Sequence, residues 1–283
     1  MKFKSAILIL FITLTHSSSI FAQNSDSNIF IHWRTLSDGI EYCETDAPFK
    51  SIVNDSKLTL LKINPKKVEF KMLSATEYDS TRTAPEWSKD MNVDIVVNAG
   101  MYDLSKRLSN KGYMQNFKHF NNPTFLDGYG AMMSFNPKDS LNPPFKIFDL
   151  SCEKWDSVKT FYNSYSQSMR MLDCSGNPLT WNKKNQSCSM LLCAMDLQGN
   201  LYYVFTRSPY THNEMIVFLQ MLPFDLVNAT YLEGGPETSL YINVNGFHFE
   251  KTGSYISNSY PNDNNDHFWK LPNVVGIKSK TTK

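Results

Sequence analysis

Short apolar segments separated by turn residues dominate the hydrophobic pattern of this chain. Segments 57–63 and 68–73 flank an Asn-Pro-Lys turn, a spacing that predicts a hairpin. Further hairpins are predicted over residues 189–207, around Gln-Gly-Asn, and over residues 240–251, around Asn-Gly, a strong hairpin turn. The other strand-length runs lie at residues 93–97, 131–135, 145–150, 229–232 and 274–277.

Two segments have the pattern of a capped helix. Thr83 and Glu86 have the spacing of a capping box, which predicts a short helix over residues 84–91. The same spacing recurs at Thr211 and Glu214, before apolar residues at helical intervals that end at a proline. The two capping boxes therefore predict both helices and the residues at which they begin.

The remaining pattern indicates a single domain. The polar and turn-rich segment 105–127 is predicted to be a long loop. Neither a repeat of fixed period nor a linker interrupts the series of elements. Residues 23–283 are therefore predicted to form one α+β domain, with a mixed β-sheet built from hairpins and flanking helices.

The first residues have the pattern of an export signal. Lys2 and Lys4 precede an apolar run at residues 6–14, and small residues lead to Ala22. The alternative is a buried N-terminal helix. The polar residues that follow favour export, so residues 1–22 are predicted to be a removable signal peptide. The mature protein is expected to be exported, either periplasmic or secreted, and no later segment predicts a transmembrane helix.

Composition limits the classes of partner. The 28 basic and 27 acidic residues nearly balance, and no basic run follows a phosphate backbone, so nucleic acid is not an expected partner. Aromatic residues make up 13% of the chain, which suits a carbohydrate-handling protein, although such rings also fill cores. No two histidines have metal-ligand spacing, so no zinc site and no cofactor are predicted, and any other divalent metal stays unknown.

The five cysteines allow at most two disulfides and leave one thiol free. Cys174 and Cys188 flank a turn region and are a candidate pair. Cys193 alternates with apolar residues and is predicted to be buried and inert. The pairing itself stays open because spacing does not determine it.

Three predicted strands end in turns with polar residues that could bind a substrate or take part in catalysis. Asn98 lies at the tip of a buried strand. Gln167 and Arg170 share one polar segment, and Asp173 closes it. Glu233 and Glu237 surround a Gly-Gly turn, whose backbone N–H groups can approach an anion closely.

These segments resemble the phosphodiester glycosidase family, whose animal member is the lysosomal uncovering enzyme and whose bacterial members are secreted. The resemblance extends from about residue 58 to residue 277. Five motifs carry it, in this order along the chain. They are an Asn-Ala-Gly-Met-Tyr turn (98–102), a Gln-Ser segment (167–168), a helix after a polar turn (211–222), a Leu-Glu-Gly-Gly-Pro-Glu segment (232–237) and a closing Pro-Asn-Val strand (272–274).

One motif departs from the family pattern. The family has Leu-Asp-Gly-Gly-Gly-Ser where this chain has residues 232–237. Glu233 therefore stands in place of Asp, and Pro236 in place of the third Gly removes a backbone donor. Glu237 replaces a small hydroxyl residue.

The resemblance implies an enzyme that cleaves a sugar from a glycosyl phosphodiester, with a carbohydrate as its partner. A phosphate monoester leaves as a stable anion, so the site must hold negative charge and stabilise an oxocarbenium-like sugar. Glu233, Glu237 and Arg170 are the predicted catalytic residues. The predicted substrate-binding residues are Asn98, Gly100, Asp103, Gln167, Arg207, Gly234 and Gly235.

Each role has a structural alternative. The arginines can form ion pairs, Asn98 can be a turn residue, and Glu233 can cap the glycine turn. The alternative function is a non-catalytic glycan-binding protein on the same scaffold, motivated by the altered Leu-Glu-Gly-Gly-Pro-Glu motif. A third possibility is a purely structural envelope protein, which would lack a cleft where Asn98, Arg170 and Glu233 converge.

Overall fold

Strand accounts for 47% and helix for 13% of the structure. The computed structural model describes residues 29–102, 108–182 and 185–280. The strands are β1 (Arg34–Ser37), β2 (Ile40–Asp46), β3 (Lys57–Ile63), β4 (Val68–Ser74), β5 (Ile95–Asn98), β6 (Met114–Asn116), β7 (His119–Asn122), β8 (Ala131–Pro137), β9 (Phe145–Asp149), β10 (Tyr162–Arg170), β11 (Ser187–Asp196), β12 (Leu201–Thr211), β13 (Leu226–Gly234), β14 (Ser239–Val244), β15 (Phe247–Thr252) and β16 (Asn273–Ser279). The helices are α1 (Ala75–Tyr78), α2 (Ala84–Met91), α3 (Trp155–Val158) and α4 (His212–Met221).

The described strands form two sheets. The larger sheet has the order β1-β2-β3-β12-β11-β13-β10-β6-β7, with β8 paired to β10 and β9 paired to β8. The smaller sheet has the order β15-β14-β5-β16-β4. Every described pairing of strands within these sheets is antiparallel.

The expectation of an α+β domain with a mixed sheet is wrong, because the fold is predominantly antiparallel β. The physical reason lies in what covers the apolar faces. One buried cluster contains Leu61 and Leu232 of the larger sheet together with Val97 and Val275 of the smaller one, so each sheet covers the other. Helix α4 covers part of the opposite face of the larger sheet, where Phe218 packs in a second cluster.

The hairpin predicted over residues 57–73 is also wrong. Strand β3 pairs with β2 and β12, whereas β4 pairs with β16 in the other sheet. The 3₁₀ turn Pro65–Lys67 carries the chain between the two sheets, and Asn64 caps it by accepting the Lys66 N–H at 3.0 Å. A local turn signal indicates a reversal of direction and does not specify the partner strand.

Several other local predictions are confirmed. Helices α2 and α4 begin with complete capping boxes at Thr83 and Thr211. Strands β11 and β12 form the predicted hairpin, as do β14 and β15. The predicted loop 105–127 instead contains the short hairpin β6–β7, whose polar residues give no strand pattern.

The cysteine prediction is corrected in part. The disulfide joins Cys152 to Cys174, and therefore links the segment after β9 to the segment after β10. Cys188, which the sequence offered as a candidate partner of Cys174, is a buried free thiol on β11, as is Cys193. The buried position predicted for Cys193 is confirmed.

The predicted signal peptide, residues 1–22, lies outside the described residues. Within the described part of the chain, no helix has the length and apolar character needed to cross a membrane.

Candidate functional site

A cleft of about 770 Å³ lies at the end of β13, beside the first residue of α4. Glu233 and Glu237 both line it, and Glu237 is the last residue of the turn Gly235–Glu237 that follows β13. Its other walls carry aromatic side chains and methionines. Two carboxyl groups and a set of rings in one cleft are the features expected of a carbohydrate site.

The alternation of strand β13 builds one side of the cleft. Tyr231 and Glu233 are two residues apart and share a face of the strand, whereas Leu232 points into the core between the sheets. Met169 on β10 lies directly opposite Tyr231 and shares that face. The sequence Tyr-Leu-Glu on a buried strand therefore presents a ring and a carboxyl group to the same cleft.

Glu233 lies in an apolar setting, and only 8% of its surface is exposed. Its Oε1 accepts the Gly234 N–H at 3.0 Å, while its Oε2 is buried and has no hydrogen-bond partner within the described part of the chain. Burial raises the pKa of Glu233 well above its ordinary range, and the nearby Glu237 carboxylate raises it further. These surroundings therefore favour the protonated form of Glu233.

Glu237 has a more polar setting than Glu233. The Tyr102 hydroxyl donates to Glu237 Oε1 at 3.0 Å. Burial raises the pKa of Glu237 above its ordinary value, while this hydrogen bond opposes the increase because it stabilises the carboxylate. The two neighbouring carboxyl groups therefore have unequal environments, which is a common basis for separate acid and base roles.

Asn98 lies directly behind Glu237. Its Nδ2 donates to the Glu237 carbonyl at 3.0 Å, and its Oδ1 accepts the Ser239 N–H at 2.8 Å. Asn98 is buried, and both ends of its amide bind backbone on either side of residue 238. This contact holds the backbone that carries Glu237, and a direct contact between Asn98 and substrate stays a prediction.

The glycines of the predicted site have structural roles. A Cβ on Gly234 would overlap the Tyr231 hydroxyl and approach Cys188 Sγ to 2.8 Å. Gly100 has a φ of +148° and lies against Asn110, and Gly235 has a φ of +78°. Only glycine adopts such positions without strain. Gly234 lines the cleft, and substrate binding by the three glycines stays a prediction.

Aromatic rings form the wall nearest α4. The Trp181 indole stacks on the His212 ring, with centroids 4.0 Å apart and planes inclined by 10°. Tyr231 packs against both, with centroids 4.8 Å from His212 and 5.6 Å from Trp181. Asn213 fixes the tryptophan backbone, because it accepts the Trp181 N–H at 2.8 Å and donates to the Trp181 carbonyl at 3.0 Å. The ring wall is therefore held by hydrogen bonds as well as packing.

Arg170 lies outside this cleft, because strand alternation turns its side chain away from the face of Met169. Its Nη1 pairs with the buried Asp149 at 2.7 Å and donates to Ser151 Oγ at 2.6 Å. Arg170 lines a neighbouring hollow of about 430 Å³, which shares Tyr129 with the cleft. Its predicted catalytic role is not supported by a contact with either glutamate and stays a prediction.

Arg207 is also placed elsewhere. Its guanidinium pairs with Asp263 at 2.9 Å and donates to the carbonyls of Asn265, at 2.8 Å, and Thr252, at 3.1 Å. It lines a separate hollow of about 740 Å³. The described residues that line the glutamate cleft include no arginine or lysine.

The remaining candidates are positioned as follows. The Gln167 amide donates to the carbonyls of Leu126, at 2.7 Å, and Tyr129, at 2.8 Å, and so anchors the segment that carries Tyr129 to the cleft. Asp173 accepts backbone N–H groups within its own turn, including that of Asn177 at 2.8 Å. Asp103 lies outside the described residues.

Most residues that line the cleft have no assigned role in the sequence prediction, among them Tyr102, Met169, Trp181, His212 and Tyr231. The sequence contains a pattern that could have indicated two of these residues. Tyr102 belongs to the Asn-Ala-Gly-Met-Tyr turn, and Tyr231 precedes Glu233 at the spacing that shares a strand face. Trp181 and His212 meet only through the fold, and no local pattern predicts their contact.

Comparisons with known proteins agree with this architecture. The sequence model of the phosphodiester glycosidase family matches residues 91–278. A hypothetical protein from Synechocystis has a similar crystal structure, with a TM-score of 0.62 and 13% identity over 89% of this chain and 64% of that chain. This chain thus spans just under two thirds of the length of the Synechocystis chain.

A second solved structure shares the fold. It is the catalytic domain of zebrafish N-acetylglucosamine-1-phosphodiester alpha-N-acetylglucosaminidase, auto-inhibited by its pro-peptide. The TM-score is 0.51 and the identity 11%, over 89% of this chain and 83% of that chain. At these identities both structures show the fold alone. Comparison with curated proteins found no match.

Proposed function

The chain belongs to the phosphodiester glycosidase family, and on that premise we propose that it hydrolyses the bond between the anomeric carbon of a sugar and the oxygen of a phosphodiester. The observation that carries the proposal is the pair of carboxyl groups, of the buried Glu233 and the half-buried Glu237, in one ring-lined cleft. Family membership supports a glycosidase-like activity in general, and this pair supports the specific reaction.

The unequal environments of the two glutamates suggest their roles. In the proposed reaction, Glu233 holds a proton and directs Oε2, which has no partner within the described chain, toward an oxygen of the departing phosphate. A phosphate monoester needs little protonation to leave, so a hydrogen bond from Glu233 is sufficient assistance. The anomeric C–O bond breaks, and the phosphate leaves with the bonding electrons.

Glu237 serves the sugar side of the reaction. The hydrogen bond from Tyr102 favours its ionised form, and an adjacent carboxylate stabilises the positive charge that develops on the sugar ring. Glu237 then either activates a water molecule or attacks the anomeric carbon itself. In both cases water supplies the new oxygen on the anomeric carbon, and its proton leaves through a carboxylate.

A non-catalytic glycan-binding function is the second candidate. The ring wall of Trp181, His212 and Tyr231 favours it, since sugar rings bind to aromatic surfaces without any chemical step. The hydrogen bond from the Gly234 N–H to Glu233 is also compatible with a purely structural carboxylate.

A panel of sugar-1-phosphodiesters, including esters of N-acetylglucosamine-1-phosphate, separates the two functions. Sugar release by the wild-type protein that is lost in Glu233→Gln and in Glu237→Gln would support the glycosidase. Saturable glycan binding by both variants and the wild type, with no turnover of any diester, would support the binding protein. Circular dichroism of each variant controls for folding.

Export is a further part of the proposal. Its support is the sequence pattern of residues 1–22 alone. Expression of the full chain in a bacterial host, followed by fractionation and determination of the mature N-terminus, tests it. A mature chain that begins near residue 23 in an extracytoplasmic fraction is the expected result, and an uncleaved cytoplasmic chain would contradict it.

A further inference from the structure

Three apolar side chains, Met101, Met169 and Ile256, line the cleft beside the glutamates, and we call them the apolar wall. Each is partly buried and packs against the same buried cluster on the outer face of the larger sheet. Met101 precedes Tyr102, which binds Glu237.

The other two members of the apolar wall also lie next to the motif that carries the glutamates. Met169 lies opposite Tyr231 on the neighbouring strand, two residues before Glu233. Ile256 Cγ2 lies 3.5 Å from the position that a Cβ on Gly235 would occupy. The apolar wall therefore adjoins the proposed reaction centre and is not a distant surface patch.

The chemistry of the apolar wall is poorly suited to a second sugar. Sugar hydroxyls lose their water on binding and need hydrogen-bond partners, whereas thioether and aliphatic groups offer almost none. Unbranched methionine side chains instead adapt to flexible apolar groups. The cleft volume of about 770 Å³ is also in the range that accommodates a drug-sized ligand, so a second substituent fits beside the sugar.

We propose that the apolar wall binds the alcohol on the far side of the phosphate, and that this alcohol is an alkyl chain. The substrate class is then a glycosyl phosphodiester of an apolar alcohol. This inference rests on the proposed function, because it assigns the second substituent of the same substrate. The sugar occupies the ring wall, the phosphate lies at Glu233, and the chain lies along Met101, Met169 and Ile256.

The first test compares methyl and octyl diesters of N-acetylglucosamine-1-phosphate, both below the micelle concentration of the octyl ester. Burial of each methylene contributes up to about fourfold in affinity, so the octyl ester is expected to exceed the methyl ester at least tenfold in kcat/KM. Equal values, or a preference for a glycosyl ester over the octyl ester, would overturn the proposal.

Variants of one residue test the location of the chain. Met169→Gln keeps the length of the side chain and adds a polar amide, and it is expected to reduce the octyl-to-methyl ratio by about tenfold. Met169→Leu keeps the apolar character and is expected to preserve the ratio. An unchanged ratio in Met169→Gln, in a variant that circular dichroism shows to be folded, would contradict the assignment.

Binding of octyl phosphate and methyl phosphate, measured by calorimetry, separates this inference from the proposed function. Tighter binding of octyl phosphate with a more negative heat-capacity change supports the apolar wall even if no diester is cleaved. Turnover of diesters with no difference between the two phosphates would support the glycosidase and reject the alkyl subsite.

Discussion

The Tyr102 hydroxyl donates a hydrogen bond to the Glu237 carboxylate, and this contact distinguishes the two glutamates of the cleft. Glu233 receives a hydrogen bond on one oxygen only, from the Gly234 N–H. Both pKa values are raised by burial, but only that of Glu237 is opposed by a side-chain donor. The surroundings therefore favour the protonated form more strongly at Glu233 than at Glu237.

Removal of the Tyr102 hydroxyl should make Glu237 harder to ionise. In Tyr102→Phe the pKa of Glu237 is expected to rise, because the variant lacks a donor that stabilises the carboxylate. The acid limb of the kcat/KM profile should move to higher pH, and kcat/KM at acid pH should fall about tenfold, since such hydrogen bonds contribute about 1.5 kcal/mol or more. Tyr260→Phe is the matched control, because its hydroxyl donates to Asn264. An unmoved acid limb in Tyr102→Phe would contradict the assignment.

The buried Glu233 should make the stability of the protein depend on pH. Its folded-state pKa lies above the ordinary value of 4.5. Between the two pKa values the folded chain therefore holds a proton at Glu233 that the unfolded chain has lost. The contribution of Glu233 to stability is fully present below pH 4.5 and is lost as pH rises through its folded pKa. Glu233→Gln does not titrate, so its stability relative to wild type should increase with pH above 4.5, by about 1.4 kcal/mol for each unit of the raised pKa.

Urea unfolding of wild type and Glu233→Gln between pH 4 and pH 8 measures this difference. Glu237→Gln should give a dependence of the same sign, since burial raises the pKa of Glu237 as well. A difference in unfolding free energy between Glu233→Gln and wild type that is constant across this range would contradict a raised pKa at Glu233.

Asn98 is predicted to stabilise the fold through Glu237. Asn98→Ala leaves the Glu237 carbonyl and the Ser239 N–H without their buried partner. Each such loss costs about 1–3 kcal/mol, so the unfolding free energy should fall by about 2–6 kcal/mol. The exposed Asn243 is the control, and Asn243→Ala should change the unfolding free energy by less than about 0.5 kcal/mol. Equal unfolding free energies for the two variants would argue against the Asn98 clamp.

The local elements were predictable because their signals are local. Capping boxes at Thr83 and Thr211 and the turn at residues 245–246 depend on contacts within a few residues. The pairing of β3 and β4 with different sheets depends on contacts from β12 and β16, far away in sequence. Fold class was missed for the same reason, since the sequence pattern does not show that a second sheet covers each apolar face.

In the candidate site too, residues that share a short motif were predictable, whereas contacts between distant segments were not. Glu233 and Glu237 could be predicted together because one short motif carries both, and both line the cleft. Arg170 was grouped with Gln167 by proximity in sequence, but strand alternation turns its side chain toward Asp149. The contact of Trp181 with His212 joins two segments that are distant in sequence, so no motif could predict it.

Arg170 should be more important for stability than for catalysis. Arg170→Ala leaves the buried Asp149 with its bonds to Ser151 and to the Cys174 N–H but without a cation. The unfolding free energy should fall by about 2–4 kcal/mol, while kcat/KM at a temperature where the variant is folded should change less than tenfold. A loss of a hundredfold or more in kcat, at full folding, would instead support the catalytic role that the sequence suggested.

The Cys152–Cys174 disulfide should stabilise the wall of the cleft. It closes a loop of 22 residues, which corresponds to about 3 kcal/mol of unfolding free energy. Cys174 begins the segment that leads to Trp181, so loss of the bond should also weaken the proposed binding of sugar at the ring wall. Urea unfolding and glycan titration of Cys152→Ala/Cys174→Ala, each compared with wild type, measure the two effects.

Thiol counting checks the same arrangement of cysteines. Cys43, Cys188 and Cys193 are free and buried, so the native protein should react with no equivalent of a thiol reagent. Unfolding without reductant should expose these three thiols, and unfolding with reductant should expose all five cysteines of the chain. Five reactive thiols in the unreduced, unfolded protein would show that the disulfide is absent, and the expected loss of about 3 kcal/mol in the double variant would then disappear.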